Sequence, residues 1–485
     1  MKSSIIIPIK PFPVKLDQTI DKNKLKENVI YRMSFEVDKR YEQLVITFQG
    51  EKIRWFTCNV YHQNEVRGQA LQTMKKPMET ICIGSEEKYN CATSVPGMIM
   101  PGFWEVEFEI IPDENETIEL EVHYELRERG EVSHDYLENQ RCIYGPLKQV
   151  YTTKKWYKGD FHTHTHYSDG AMTRERNLES AKNQKLDFFV ATDHNLVTHY
   201  WPNEGEVVPF PGTELTAPGG HGNFLFVEQP LFRNGSLSDM YSEEGMNRII
   251  ECNLHNGIFS INHPFLSPWA WLMRDTKLDM VTSLEICNDP TYSDNCLATE
   301  KALTFWSVLL NDGYQITGIG GSDSHLLPEE KYPEATEPSL IGDPSTYIYA
   351  EGLSADALKA GIQAGHAVLS RDGFIDIKVR GEELLPGDML LKGTGVLEVL
   401  LEREEPTKIQ WVIDGKIVKV EEGNGASYEY QFEDGSYHWI RVDIRDTEDR
   451  FIGTTNPFYW GMKQTSLQTW GEALDEWNRQ KSNTL

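Results

Sequence analysis

Asp187-Phe188-Phe189-Val190-Ala191-Thr192-Asp193-His194 is a short apolar run that stops abruptly on an acid and a histidine. Its length and its aromatic and β-branched content read as a strand buried on both faces, the kind found in the middle of a parallel sheet. Runs of the same type recur at Gly257-Ile258-Phe259-Ser260-Ile261, Ser283-Leu284-Glu285-Ile286, Gln315-Ile316-Thr317-Gly318-Ile319 and Thr346-Tyr347-Ile348-Tyr349. Amphipathic segments lie between them. One sets Ala298, Ala302, Phe305 and Leu309 on a single face, with Asp294 as a candidate N-cap and Gly313 beyond its end. A second carries Met246, Ile249, Ile250 and Leu254 and stops at Gly257, and a shorter one runs from Ser354 to Gly365. Strand–helix alternation of this kind predicts a parallel, barrel-like sheet over 155–372.

On either side the period drops to two. Val29, Tyr31, Met33, Phe35 and Val37 alternate, as do Ile118, Leu120, Val122, Tyr124 and Leu126. In Trp104, Val106, Phe108 and Ile110 the intervening positions are Glu105, Glu107 and Glu109. Such alternation predicts antiparallel strands with one face in a core and the other in water, hence a β-sandwich over 1–154. Beyond Gly373 the pattern returns in Ile375, Ile377 and Val379 and in His438, Ile440, Val442 and Ile444. Asp414-Gly415 between two apolar runs is a hairpin signal, and Asp434-Gly435 marks another turn. A second β-sandwich is predicted over 373–462, followed by a helical tail over 463–485. The expected fold class is therefore multidomain: an α/β barrel flanked by all-β domains.

Lys plus Arg number 47 and Asp plus Glu 75, a net charge of −28 in 485 residues. That charge disfavours polymeric nucleic acid and anionic membrane surfaces as partners, and no apolar stretch approaches the ~20 residues that span a bilayer. The apolar run Ile5-Ile6-Ile7 is cut by Pro8, too short for a signal-peptide core. Seven cysteines without a CxxC pair read as reduced thiols, which points to a cytoplasmic protein; with polymeric nucleic acid and membranes disfavoured, the expected partner is a small-molecule substrate.

Nine of the 14 histidines fall between positions 162 and 325, and clustered histidine is a pointer to metal. His162 and His164 flank Thr163 after a short strand, so in extended chain both imidazoles face one way. Asp169 follows in Ser168-Asp169-Gly170. Asp193-His194 closes the strand quoted above, Glu214 ends the segment 207–213, and His221 lies in Gly219-Gly220-His221-Gly222. His263 follows Ile261, and Asp323-Ser324-His325 follows Ile319. Each sits at or beyond the carboxyl end of a predicted strand, the face on which α/β barrels build active sites. Arg371, in Leu369-Ser370-Arg371-Asp372-Gly373, is a candidate anion anchor for substrate. His166, His199 and His255 read as surface or supporting residues.

In this order HTHTHYSDG, ATDHN, GTEL with GGHGN, INHP and GGSDSH resemble the successive motifs of the PHP (polymerase and histidinol phosphatase) superfamily. The flanking β-domains and the GHGN pattern resemble its CehA/McbA-type metallohydrolase branch. The resemblance implies a distorted (β/α)7 barrel with a di- or trinuclear centre. It implies that His162, His164, Glu214 and Asp323 hold a first metal, that Glu214, His221 and His263 hold a second, and that Asp169, His194 and His325 hold a third.

Histidine and carboxylate without thiolate suit Zn, Mn or Fe(II), two or three per chain. Adjacent divalent ions activate a bridging hydroxide as nucleophile. The expected activity is hydrolysis of small phosphoesters; the same centre also suits carbamate, ester or amide bonds. Asp193, His194, Asp323 and His325 are the candidates for orienting ligands and moving protons. A catalytically retired binding protein is the alternative from another class, and a full ligand set argues against it. No GxSxG elbow, P-loop or complete GxGxxG follows a strand, which removes serine-nucleophile and nucleotide-cofactor chemistry.

Overall fold

A computed structural model describes residues 2–9, 29–73, 80–112, 118–138, 141–142, 152–202, 206–227 and 229–484. The apolar runs of the middle region form seven consecutive sheet neighbours: β1 (Lys155–Thr163), β2 (Phe188–Ala191), β3 (Val208–Ala217), β4 (Gly220–Leu225), β5 (Ile258–Ile261), β6 (Ser283–Asn288) and β7 (Thr317–Gly321). Every residue of β2, β4, β5, β6 and β7 is buried, which is why their sequences read as continuous apolar runs rather than alternations. β8 (Ser345–Ala350) and β9 (Ala367–Ser370) continue the sheet beyond β1.

The sheet is not parallel throughout. Pairs β1–β2, β2–β3, β5–β6 and β6–β7 are parallel, but β3–β4, β4–β5, β1–β8 and β8–β9 are antiparallel. The reason lies in connection length. Only Pro218 and Gly219 separate β3 from β4, and a two-residue link makes a hairpin, never a parallel crossover. Gly220 and Gly222, on either side of His221, are therefore strand.

Helices fill the longer connections: α1 (Arg174–Asn183), α2 (Glu243–Asn253), α3 (Asn295–Asp312) and α4 (Ala355–Gln363). Thr173, Ser242 and Ser354 cap the first, second and fourth through side-chain oxygens. Gly313 ends α3 at φ +103°, a left-handed position that glycine adopts without strain. Asp294 stands at the α3 N-cap but its side chain makes no capping bond, because its own backbone is already helical.

After β7 the chain returns to β1. Asp323 donates its backbone N–H to the His162 carbonyl (2.8 Å), and Thr163 and Ser324 form a parallel bridge. The buried Asp160 carboxylate fixes this return by accepting the backbone N–H groups of His162 (3.0 Å), Ser322 (3.0 Å) and Gly342 (2.6 Å). Burial pushes the Asp160 carboxyl up to about 6 despite those bonds.

Two four-stranded antiparallel sheets form the N-terminal region, ordered Lys2–Ile9, Ile118–Arg127, Gln43–Gln49, Thr80–Gly84 and Ile30–Val37, Gly102–Pro112, Ile53–His62, Glu65–Thr73. Their inner faces share one core that includes Phe35, Ile46, Phe56, Trp104, Phe108 and Val122. The glutamate face does not meet water as its alternation predicts. Glu107 is 0% exposed and Glu109 5% exposed, because the central region covers them. Glu107 accepts hydrogen bonds from Arg32 (2.8 Å), Tyr61 (3.1 Å), the Ser236 hydroxyl (2.5 Å) and the Leu237 N–H (2.8 Å).

At the other end Ile375–Val379, Thr394–Leu401 and Gly425–Gln431 form a three-stranded sheet. It faces Lys408–Ile413, Lys416–Glu422, His438–Arg445 and Phe451–Thr455 across a core containing Ile377, Leu397, Trp411 and Val442. Asp414 (φ +50°) and Gly415 (φ +81°) make the hairpin expected of that dipeptide. Phe451–Thr455 also pairs with β9, so hydrogen bonding runs from the central sheet into this region without a break. The tail is helical over Trp470–Thr484, and Trp470 and Trp477 pack on Phe265 and Phe305. Among the described residues six cysteines are free, and no helix is long and apolar enough to cross a membrane.

The β7–β1 approach leaves no room at Gly321. A methyl group there would lie 2.4 Å from the His162 Cβ. Gly321→Ala is expected to destabilise the protein by about 1–3 kcal/mol through overpacking, read as a lower urea midpoint with an unchanged slope.

Candidate metal centre

All nine histidine and carboxylate residues expected at the site come together. His162 and His164 leave the end of β1 on one side, as a period of two requires. Glu214 projects from β3, and His221, on β4, joins it across the β3–β4 hairpin. His263 follows β5, and Asp323 and His325 follow β7. His263 and Asp323 have positive φ angles, +25° and +49°, strained for side chains with a Cβ and typical of residues held for function rather than stability.

Glu214 is the hub. Its Oε1 lies 3.3 Å from His162 Nε2, 3.2 Å from His221 Nδ1 and 3.3 Å from His263 Nε2, and its Oε2 lies 2.8 Å from His194 Nδ1 and 3.6 Å from His164 Nε2. Asp323 Oδ1 lies 3.2 Å from His162 Nε2, 3.1 Å from His164 Nε2 and 3.5 Å from His325 Nδ1. Asp169 Oδ1 lies 3.2 Å from His194 Nε2 and 3.1 Å from His325 Nε2.

Several of these approaches are not hydrogen bonds. His162 Nε2, His164 Nε2, Asp169 Oδ1 and Glu214 Oε2 are buried without a hydrogen-bond partner. Left so, each would carry a desolvation penalty. Two ligand atoms about 2.1 Å from one ion at the tetrahedral angle stand about 3.4 Å apart, and the separations here scatter around that value. The arrangement fits divalent cations. Ligand atoms gather in four groups: His164, Asp169, His194 and His325; His162, His164 and Asp323; His194, Glu214 and His221; and His162, His263 and Glu285. His263 thus joins Glu285 and His162 as well as Glu214, and His194 joins both the Asp169 group and the Glu214 group.

Charge among these side chains is divided sharply. Burial would raise the Glu214 carboxyl, but His162, His221 and His194 hold it well below the usual range. Asp323 and Asp169 are held low in the same way against burial, the first by His162, His164 and His325, the second by His325 and His194. Burial, with His325 and His194 beside it, lowers His164 to about 4, and burial lowers His221. Both imidazoles are therefore neutral lone-pair donors near pH 7. His325 is raised to about 9, because Asp169 and Asp323 outweigh its burial.

Supporting contacts fix these rings. Glu285 Oε1 meets His162 Nδ1 at 3.0 Å and its other oxygen accepts the His263 N–H at 2.7 Å. His162 Nδ1 is thereby occupied and Nε2 is turned toward Glu214 and Asp323. Asn262 donates to Glu214 Oε1 (3.0 Å) and Asn288 to Asp323 Oδ2 (3.0 Å). Sequence reasoning passed over Glu285, although a lone carboxylate inside the buried run 283–286 was the available signal. Asp193 sits beneath the site. Its oxygens accept the Thr165 N–H (2.7 Å), the Thr165 hydroxyl (2.8 Å) and the Ser168 hydroxyl (2.6 Å), so it holds the loop between His164 and Asp169. Arg371 stands apart from the histidines. Asp343 takes two of its N–H groups (2.9 and 3.0 Å), and it lines a cleft of about 1450 Å³ beside the C-terminal strands.

No family model matches the sequence, and no curated protein matches it. Similar solved structures include a two-domain protein from Bacteroides vulgatus containing a predicted PHP-like metal-dependent phosphoesterase (15% identity, TM-score 0.36, 66% of this chain and 98% of that one). Another is the fibronectin(III)-like modules of Clostridium thermocellum CbhA (17% identity, TM-score 0.14, 19% and 100%). A third is a putative beta-galactosidase from Bacteroides fragilis (9% identity, TM-score 0.18, 90% and 74%). All three TM-scores lie below one half, so the chemistry rests on the geometry of the site.

Removal of the Glu285 contact tests the supporting layer. Glu285→Gln is expected to weaken metal binding about 10- to 100-fold with little change in far-UV circular dichroism, measured by competition with a chromogenic chelator.

Proposed function

We propose that this chain is a multinuclear metal-dependent hydrolase of small phosphoesters, with its centre on a distorted (β/α)7 barrel of the PHP type. The convergence of five imidazoles on the single buried carboxylate of Glu214 carries this reading. Bound divalent ions would supply Lewis-acid charge and a water acidified toward neutrality. His162, His164, Glu214, His221, His263 and Asp323 would hold two ions, with Glu214 shared.

Asp169, His194 and His325, gathered with His164, would hold a third. Three cations favour a phosphoryl substrate, whose negative charge is spread over several oxygens, above a neutral carbamate, ester or amide. Asp169 (side chain 31% exposed), His325 (26%) and Asp323 (17%) are the more open members of the cluster, so substrate would enter on that side. Asp193 would act by keeping the His164–Asp169 loop in place.

The direct assay compares metal-free protein with protein loaded with Zn, Mn or Fe(II) on aryl phosphates, phosphodiesters, aryl carbamates and aryl esters. Turnover of phosphoesters that vanishes on chelation and returns with metal is expected. Full turnover by metal-free protein contradicts the proposal, and turnover of carbamates or esters alone moves it to carbonyl substrates.

Metal analysis tests the third ion separately. Wild type saturated with metal is expected to hold three ions per chain and Asp169→Ala two. Two in both removes the third site.

A further inference from the structure

The N-terminal sheets place a tryptophan against the histidine and carboxylate cluster. Trp55, on the strand Ile53–His62, meets the His194 ring edge-on at a centroid separation of 5.8 Å. His194 is itself 3.2 Å from Asp169, on the more open side of the cluster. The indole is fixed rather than free. Its Nε1–H donates to Glu109 Oε2 (2.9 Å), and the other oxygen of that buried carboxylate accepts the hydroxyl of Tyr241 from the central region. Burial raises the Glu109 carboxyl, while Tyr241 and Trp55 lower it.

Trp55 also packs against the cluster of Leu71, Ala92, Tyr167, Leu196 and Tyr200, yet the ring stays partly exposed. Further hydrogen bonds lock the same contact: the Gln69 side-chain amide donates to the Asn195 carbonyl (2.9 Å) and accepts the Val197 N–H (3.1 Å), and the Ala92 carbonyl accepts the His199 N–H. A polar network spanning two domains therefore holds a partly exposed aromatic ring at the rim of the centre. A buried carboxylate is a demanding way to orient a tryptophan that served packing alone, because Glu109 must be satisfied from both domains.

We infer that Trp55 is a specificity-determining residue, the wall on which a flat, aromatic substituent of the substrate stacks while its hydrolysable group lies at the metal cluster. The inference rests on the hydrolase reading and deepens it: the preferred substrate class is aryl or heteroaryl phosphoesters over small alkyl ones. Trp55 touches substrate in this account and takes no part in moving protons.

Binding of phenylphosphonate and of methylphosphonate to the metal-loaded protein, by titration calorimetry, tests it without turnover. Wild type is expected to prefer the phenyl compound about 3- to 10-fold, the range of one aromatic contact. Trp55→Ala should bring the ratio close to one, with metal content unchanged, and Trp55→Phe should keep most of it. A purely structural role would weaken both ligands alike and leave the ratio where it was, which overturns the inference and spares the hydrolase reading. A wild-type ratio of one overturns it too. If neither phosphonate binds protein that has taken up its metal, the phosphoester reading itself fails, and the inference with it.

Discussion

A single buried carboxylate with five imidazoles around it is a configuration that hydrogen bonding satisfies only in part. Glu214 has at most about four lone-pair directions to offer, and its Oε2 makes no hydrogen bond at all. Much of the central region serves this one point. β3 carries the carboxylate, the hairpin into β4 turns His221 toward it, and the returns after β5 and β7 hold His263 and Asp323 in left-handed backbone. Without a cation, His162 Nε2, His164 Nε2, Asp169 Oδ1 and Glu214 Oε2 are buried polar atoms that no hydrogen bond satisfies.

The layer beneath is more fully satisfied. Glu285, Asn262, Asn288, Asp193 and Asp160 each find partners with ordinary geometry. The contrast separates two jobs: these residues orient ring and backbone, and the nine above them are left with lone pairs facing one another. Glu107 and Glu109 repeat the device between the N-terminal sheets and the central region. Both are buried and bonded to partners in the central region, so the N-terminal sandwich is keyed to the site by polar groups rather than by apolar area alone.

Much of this was legible in the chain. Short apolar runs ending in His, Asp or Glu located the strands and the face of the site together, since a ligand just past a strand end is a local pattern. Alternation gave the flanking strands for the same reason. What escaped depended on contacts between distant segments. Nothing near Glu107 or Glu109 distinguishes them from the exposed Glu105 pattern; only the arrival of Ser236, Leu237 and Tyr241 buries them. Glu285 sat inside a run whose apolar neighbours dominated its reading. The β3–β4 hairpin escaped because Gly220 and Gly222 lack the side chains that signal a strand. Arg371 read as free to bind an anion, whereas Asp343, 28 positions away, already occupies it.

Anomalous diffraction from crystals of metal-loaded protein, recorded on either side of the metal's absorption edge, addresses the centre itself. The account predicts at least two peaks, with each Glu214 oxygen at a coordination distance of about 2.0–2.2 Å from one of them. Metal found elsewhere in the molecule with none at Glu214, in protein that is active, would contradict it.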